Sequence, residues 1–354
     1  MTTPPRAQSY ALGAVGVAAT LWLLIEARGV LEPLMISVLI WFVLEAVARQ
    51  IARAGGRTHP GTWARAGSAA VFFALIAGMS VMIANSVEGF RENLPSYQEN
   101  LRAMLSGVAE TVGLSGPMDI AGLLQKIQLT DVAVGIAGSA LGFISSLIVV
   151  LIYVLFIFVE AGQGEAKLRA LAGGAERYET LSGTVQRIQR EIETYLGVKC
   201  IIGAAQALPT LAVLAVIGVD GAAMWAAVIF FASFIPTIGS LIGIVFPALV
   251  ALVQFDTLGP FLATAGLLAV IQIGGSNWLE PKMMGSSLNL SALAVLIAIF
   301  AGGALWGITG ALIAVPVLSI AVIVFARIES LRPVAVLLSS DGKIDWPVIS
   351  EPQD

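Results

Sequence analysis

The sequence predicts an all-α, polytopic membrane protein, on the basis of its composition, its long uncharged stretches and the alternating charge of its loops. Of the 354 residues, 58% are hydrophobic and 12% are charged, whereas about 25% of the residues in soluble domains are charged. The mean hydropathy is +0.91. A water-soluble fold could not cover its surface with so little polar material, so we expect lipid to be the solvent for most of the chain.

About six segments are predicted to cross the bilayer completely as helices, since a crossing takes about 20 apolar residues. They are residues 7–25, 33–48, 66–87, 132–159, 200–219 and 257–274. Pro33 is expected to open the second span, because proline is favoured in the first turn of a helix. The first span lacks a small-residue cleavage site and is expected to be retained rather than removed as a signal peptide.

The charges of the loops predict the orientation, because cytoplasmic loops carry an excess of lysine and arginine. Loop 49–65 contains four arginines and no acidic residue, and segment 160–199 contains six lysines and arginines, so both are expected in the cytoplasm. Segment 88–131 is acidic and is expected outside. Arg327 and Arg332 favour a cytoplasmic C-terminus, and the N-terminus is expected to be cytoplasmic as well.

Two segments outside the membrane are predicted to form amphipathic helices. The first has a stripe of Leu94, Tyr97, Leu101, Met104, Leu105, Val108 and Val112, and the second a stripe of Leu181, Val185, Ile188, Ile192, Tyr195 and Lys199. Spacings of three and four residues place each stripe on one face of a helix. Each stripe either packs against its own protomer or forms a contact between subunits.

The second half of the chain contains a weak internal repeat. Sliding the chain by 69 residues aligns Pro247 with Pro316, and it also aligns a break at 233–238 with a break at 302–307. Each tract is predicted to form a helical hairpin, in which two short helices are joined at the break. A helix of about 14 residues rises only about 21 Å, which is less than the roughly 30 Å of the hydrocarbon core.

Both termini can lie in the cytoplasm only if the number of complete crossings is even. Six crossings meet this requirement if both hairpins are re-entrant, and the two repeat units then have opposite orientations in the membrane. Inverted repeats with broken helices are a recurring plan of secondary transporters. The alternative is that the glycines near the breaks only allow helices to pack closely.

These features divide the chain into six predicted regions. They are a scaffold of spans one to three (1–87), an extracytoplasmic helical segment (88–131), span four (132–162), a cytoplasmic helical segment (163–198), a transport core with the two hairpins (199–330) and a cytoplasmic tail (331–354). Alternating access is expected to move residues 199–326 against the first four spans.

Polar residues inside a membrane are energetically costly and usually face a cavity or a partner. The candidate substrate-binding residues are Gln206, Gln272, Asn277 and Glu280, together with Pro236, Thr237 and Gly239 at the first break and Gly303 and Gly307 at the second. Asn277 and Glu280 are expected to make the best contacts with a solute or a cation. Alternatively, Glu280 lies at the membrane interface or pairs with Lys282.

Enzymes and nucleic-acid-binding proteins fit the sequence poorly. The only histidine, His59, lies in a predicted loop, so a serine in a span has no histidine base. A single cysteine, Cys200, excludes a cysteine-based metal cluster, and no phosphate-binding loop is present. The net charge of −4 lacks the basic footprint that nucleic acid requires. We therefore expect no catalysis, metal or cofactor, and we expect lipid and a small molecule or ion as partners.

Three motifs in the second half carry a resemblance to a known family. They are Ile-Pro-Thr-Ile-Gly-Ser-Leu-Ile-Gly at 235–243, Asn-Trp-Leu-Glu-Pro-Lys-Met-Met-Gly at 277–285 and Gly-Gly-Ala-Leu-Trp-Gly at 302–307. Together they resemble the autoinducer-2 exporter (AI-2E) family of bacterial permeases, and the likeness extends over nearly the whole chain. The family's first motif usually reads Pro-Tyr-Ile-Gly-Pro, whereas this chain has Thr237 and Ser240 in place of the tyrosine and the second proline.

The resemblance implies a helical protein of the bacterial inner membrane that assembles as a homo-oligomer, specifically a pentamer. Its function is then expected to be that of a secondary exporter of a small polar solute such as autoinducer-2. The family also includes transporters that exchange sodium or lithium ions for protons, and Glu280 is the only deep carboxylate that could serve such an antiporter. A scaffold or channel that transports nothing by alternating access is a second alternative, but it would not need two inverted broken-helix units.

Overall fold

A computed structural model describes residues 6–56, 60–111, 148–236, 238–284 and 289–343 of the chain. Within these ranges the chain is almost entirely helical and contains no β-strand, and the only strand-like feature there is an isolated bridge between Leu290 and Ser339. This confirms the predicted all-α class. Residues 112–147, which include much of the predicted fourth span, lie outside the described residues.

The helices are numbered here in chain order over the described residues. They are α1 (Arg6–Glu26), α2 (Arg28–Ala54), α3 (Thr62–Thr111), α4 (Ile148–Ala161), α5 (Gly164–Ala172), α6 (Ala175–Ile217), α7 (Ala222–Ala232), α8 (Ile238–Gln254), α9 (Leu258–Gly274), α10 (Glu280–Met284), α11 (Ala292–Arg327) and α12 (Arg332–Leu338). A π-helical turn, Gly275–Leu279, joins α9 to α10.

Several of these helices are long and apolar enough to cross a membrane. Within the described ranges, five reach that length and hydropathy: α2, the Thr62–Met82 part of α3, α6, the stretch Leu258–Met283, and α11. Helices α4 and α5 are bent by 57° at a short break and would make a sixth if they form one span. The chain is therefore a polytopic membrane protein, as its composition predicts.

Helices α3 and α6 are longer than the predicted spans. Helix α3 has 50 residues and α6 has 43, which corresponds to lengths of about 75 Å and 65 Å at 1.5 Å per residue. The third span and the first amphipathic segment are thus one continuous helix. The second amphipathic segment and the fifth span are likewise continuous in α6.

Pro33 does not open the second helix, which corrects the sequence prediction. Helix α2 begins at Arg28, and Arg28 forms an ion pair with Glu32 at 3.0 Å in the first turns. Pro33 lies just after these turns and has no N–H to donate to a preceding carbonyl. One turn later, Ser37 Oγ donates to the Pro33 carbonyl at 2.6 Å and also lies 3.1 Å from the Val150 carbonyl.

The chain forms two compact units. The first comprises Met1–Val43, Ile148–Glu193 and Leu288–Asp354, and the second comprises Leu44–Leu147 and Thr194–Ser287. The tract 222–254 belongs to the second unit and the tract 292–327 to the first. The predicted division into scaffold and transport core is a functional one and stays a prediction.

In the second unit, α7 and α8 form a helical hairpin. The chain leaves the helical path between Ser233 and Pro236, and a Cβ on Gly239 would overlap the Ala232 carbonyl. The open ends of the hairpin also meet, because Gln254 binds the Gly218 carbonyl at 2.7 Å and the Asp220 N–H at 2.8 Å. Helix α7 has only 11 residues, or about 17 Å, which is too short for a complete crossing.

In the first unit, α11 folds back on itself. Its helical path is interrupted at Trp306 and Gly307, and Gly307 has φ 62° and ψ −141°, a conformation that glycine adopts without a steric penalty. Gly302 and Gly310 then approach so closely that a Cβ on either would overlap the backbone of the other. Trp306 Nε1 donates to the Leu24 carbonyl at 2.9 Å, which holds the turn against α1.

Candidate functional site

Two polar stripes face each other in the second unit, one on α6 and one on α9 and its π-helical extension. The α6 stripe consists of Lys199, Gln206 and Thr210, and the α9 stripe consists of Thr264, Gln272 and Ser276, continued by Glu280 at the start of α10. The members of each stripe are four, seven or eight positions apart, so each stripe lies along one helix face. Gln206, Thr210, Thr264 and Gln272 are buried.

Hydrogen bonds join the two stripes. Gln206 Nε2 lies 3.3 Å from both the Gln272 carbonyl and Ser276 Oγ. Gln272 Nε2 lies 3.5 Å from Thr210 Oγ1, and Ser276 Oγ is 2.5 Å from Ser240 Oγ at the start of α8. Because unpaired polar groups in an apolar surrounding are costly, this network stabilises the contact of α6 with α8 and α9.

Glycines let the helices approach closely enough to form this network. A Cβ on Gly275 would overlap the amide of Gln206, and a Cβ on Gly243 would lie 2.9 Å from the Gln272 side chain. On α6, a Cβ on Gly203 would lie 2.8 Å from Ser233 Oγ. These glycines are therefore required for close packing of the helices in the second unit.

A buried ion pair lies at the end of the two stripes. Lys199 is fully buried and Glu280 is 18% exposed, and Lys199 Nζ lies 2.5 Å from Glu280 Oε1. The same ammonium donates to the Ser233 carbonyl at 3.0 Å. Glu280 does not pair with Lys282, whose ammonium lies 4.8 Å from the centre of the Trp278 ring instead.

The turn of the first hairpin is held by α6. Tyr195 Oη donates to the Phe234 carbonyl at 3.3 Å, one residue beyond the carbonyl that Lys199 binds. These carbonyls follow the last turn of α7, where no backbone N–H of the helix remains to bind them. Two side chains one turn apart on α6 thus pair the exposed backbone of the turn.

The predicted site residues are only partly brought together. Gln206, Gln272 and Glu280 lie along the stripes, and Pro236 and Gly239 lie at the adjacent turn. Asn277 is on the π-helical turn, and its side chain is exposed. Thr237 lies outside the described residues. Gly303 and Gly307 belong to the hairpin of the other unit, with Gly307 at its turn.

Lys199 is the site residue that the sequence prediction missed. The sequence prediction assigns Lys199 to the end of a cytoplasmic segment because of its charge, and to an amphipathic stripe because of its spacing. The sequence does contain a pattern that points to Lys199. Lys199, Gln206 and Thr210 are separated by seven and four residues, which puts them on one face of the apolar part of α6. Gln272, Ser276 and Glu280 repeat by four in the same way.

A second polar cluster contacts the C-terminal half of α3. Asp220, just before α7, accepts hydrogen bonds from Tyr97 Oη and from Asn93 Nδ2, the latter at 2.8 Å. Asn100 Nδ2 donates to the Gln254 carbonyl at 2.9 Å. Burial and the neighbouring Asp220 carboxylate raise the pKa of Tyr97, so this tyrosine remains a protonated donor at neutral pH.

The described part of the chain has no group of three or more histidine, cysteine, aspartate or glutamate side chains that could hold a metal ion. The site thus consists of amide, hydroxyl and carbonyl groups with one ion pair at its end. Such groups can bind a small polar molecule or a monovalent cation.

Comparisons with known proteins agree with this description. Residues 13–330 match the family model described as AI-2E family transporter. A putative transport protein of Borreliella burgdorferi is 32% identical over 199 residues, which are 56% of this chain and 55% of that protein. The chain therefore matches about half the length of that relative.

Two further relatives carry more specific descriptions. The AI-2 transport protein TqsA of Escherichia coli (strain K12) is 27% identical over 276 residues, covering 76% of this chain and 79% of that protein. A sodium-lithium/proton antiporter of Halobacillus andaensis is 25% identical over 237 residues, covering 64% of this chain and 61% of that protein.

Proposed function

The chain belongs to the AI-2E transporter family, and from this membership we propose that it is a secondary exporter of a small polar solute, such as autoinducer-2. It works by alternating access in the bacterial inner membrane. The coverage of TqsA, at 76% of this chain, supports the choice of solute class. No step of this function requires catalysis, a metal or a cofactor.

One observation carries the proposal, namely the polar contact between α6, α8 and α9. A helix that only filled the membrane would gain nothing from burying Gln206, Gln272 and Thr210, since buried amides and hydroxyls cost free energy unless they are paired. Their present partners are one another. A solute with several hydroxyl or carbonyl groups can replace these partners when α6 and α9 separate.

The hairpins are the second element of the proposed mechanism. Both are proposed to be re-entrant and to have opposite orientations in the membrane, with Asn277, Glu280 and Gln272 contacting the solute near the turns. Residues 199–326 are proposed to move against the first four spans. Alternating access needs two packing arrangements that differ by only a few kcal/mol, so that a bound solute can shift their populations.

The working protein is proposed to be a homo-oligomer. Ile192 and Tyr195 are buried within a single chain, which favours packing on the same protomer for that part of the α6 stripe. Val185 remains 49% exposed and is the better position for a subunit contact.

The second candidate function is a sodium(lithium)/proton antiporter. The largely buried Glu280, which is 18% exposed and paired with Lys199, favours it, because a carboxylate can bind either a cation or a proton. The relative from Halobacillus andaensis is consistent with it.

Flux measurements in proteoliposomes distinguish the two functions. An exporter of a neutral solute is expected to move autoinducer-2, with a sodium or pH gradient changing only its direction or rate. An antiporter is expected to acidify or alkalinise the lumen when sodium or lithium is added without any organic solute. We expect Gln272→Leu to reduce solute flux at least tenfold. The control is Gln163→Leu, because Gln163 is an exposed glutamine outside the stripes.

A further inference from the structure

Lys199 has a fully buried side chain, and among the described residues its ammonium contacts two oxygen atoms. One is Glu280 Oε1 at 2.5 Å and the other is the Ser233 carbonyl at 3.0 Å. Nζ therefore lies where one carboxylate and one backbone carbonyl converge. Oxygen ligands of this kind are also those that hard cations prefer.

The backbone adds to the negative potential at this point. Ser233 directly follows α7, whose last residue is Ala232, and the C-terminal end of a helix carries a partial negative charge of about half an electron. The next carbonyl, that of Phe234, faces the same side of α6, since Tyr195 donates to it. A carboxylate and the C-terminal end of a helix thus both favour a positive charge at this point.

We propose that Lys199 is a tethered occupant of a monovalent-cation site formed by Glu280 and the Ser233 carbonyl, and that a free alkali cation and the lysine ammonium occupy this site alternately. Lysine suits this role because it is a compact charge on a flexible stem of four carbons. Withdrawal of the ammonium frees the site for a cation and removes one of the two α6 side chains that hold the turn of the first hairpin, the other being Tyr195.

The consequence for transport rests on the function proposed above. Cation binding and the contact of Lys199 with the hairpin turn are mutually exclusive, so a cation gradient can weaken the contact between this turn and α6. The cation site itself does not depend on which solute the protein carries, and it can be measured as binding alone.

The test uses purified full-length protein in detergent, with sodium chloride titrated against choline chloride at constant ionic strength. In Lys199→Ala the ammonium is gone, and we expect the thermal midpoint to rise with sodium and to saturate. Bound ²²Na⁺ should approach one ion per chain. In the wild-type protein the lysine competes, so the apparent sodium affinity should be at least tenfold lower.

The double variant Lys199→Ala/Glu280→Gln is the matched control, because it lacks the carboxylate and should lose the sodium response. Should Lys199→Ala not yield folded protein in either salt, Lys199→Gln replaces it, since an amide still donates to the Ser233 carbonyl but carries no charge. A folded single variant without sodium binding overturns the proposal, as does equal binding by the double variant. Absence of solute flux together with sodium binding would instead count against the proposed exporter and leave the site intact.

Discussion

At the scale of single residues, the Lys199–Glu280 pair joins a fully buried ammonium to a carboxylate that is 18% exposed. Because the ammonium is fully buried, removal of its partner leaves an uncompensated charge, which costs more than the pair contributes. Replacement of both residues by apolar side chains of similar size leaves no such charge. The two kinds of substitution therefore have very different expected effects.

We expect Glu280→Gln to destabilise the protein by about 3 kcal/mol, the lower end of the range for buried pairs, because Glu280 is partly exposed. The double variant Lys199→Met/Glu280→Met should recover most of this loss. The measurement is the midpoint of thermal unfolding in detergent. Lys282→Met, which removes an exposed ammonium from the same segment, is the control and should change the midpoint little. Equal midpoints for Glu280→Gln and the control would contradict this interpretation of the pair.

The sequence identified some residues of the candidate site and missed others for a physical reason. Gln206, Gln272 and Glu280 stand out because polar groups are rare within apolar spans. Lys199 does not stand out, because lysine near the end of a span is expected at the membrane surface. Its burial depends on the turn after α7, whose carbonyl at Ser233 reaches it, and no pattern within α6 reveals that contact.

At the scale of the elements, the glycines decide how closely the helices of each hairpin approach. Gly239 has no room for a Cβ, since one would overlap the Ala232 carbonyl. Gly266 on α9 has no atom within 4 Å of a built Cβ. Substitution by alanine at these two positions therefore distinguishes a steric clash, expected at Gly239, from a gain in helix propensity, expected at Gly266.

We expect Gly239→Ala to destabilise the protein by about 1–3 kcal/mol through overpacking and to reduce solute flux. Gly266→Ala should instead stabilise α9 by about 0.5–1 kcal/mol, because alanine is the better helix former. Thermal unfolding and flux in proteoliposomes measure both effects. If Gly239→Ala behaved like Gly266→Ala, the close approach of α7 and α8 would not matter in the membrane.

The elements were predictable to different degrees. Breaks and short apolar stretches indicated both hairpins, and the structure has a fold-back turn in each tract. The continuity of α3 and α6 was not predictable, because a change from apolar to amphipathic pattern marks a change of surroundings and does not end a helix. The prediction for Pro33 is wrong because a proline can lie one turn after the first residue of a helix as well as at its start.

At the scale of the whole molecule, the orientation in the membrane is the main prediction from charge. The basic loop 49–65 is expected in the cytoplasm and the acidic half of α3 outside. Single cysteines at Arg53 and at Glu99, both exposed, in a background without Cys200 should therefore react with an impermeant thiol reagent from opposite sides. Reaction from the same side would contradict the topology and with it the opposite orientation of the hairpins.

The central claim is that this chain transports a small polar solute by alternating access, and counterflow tests it most directly. Proteoliposomes loaded with unlabelled autoinducer-2 are diluted into a trace of labelled solute, with no ion gradient. A carrier that exposes its site to one side at a time exchanges the two, so the label should accumulate transiently above its external concentration. A channel or scaffold gives no such overshoot. An overshoot that Gln272→Leu abolishes and Gln163→Leu preserves is the predicted result, and simple equilibration of the label in the wild-type protein would contradict the account.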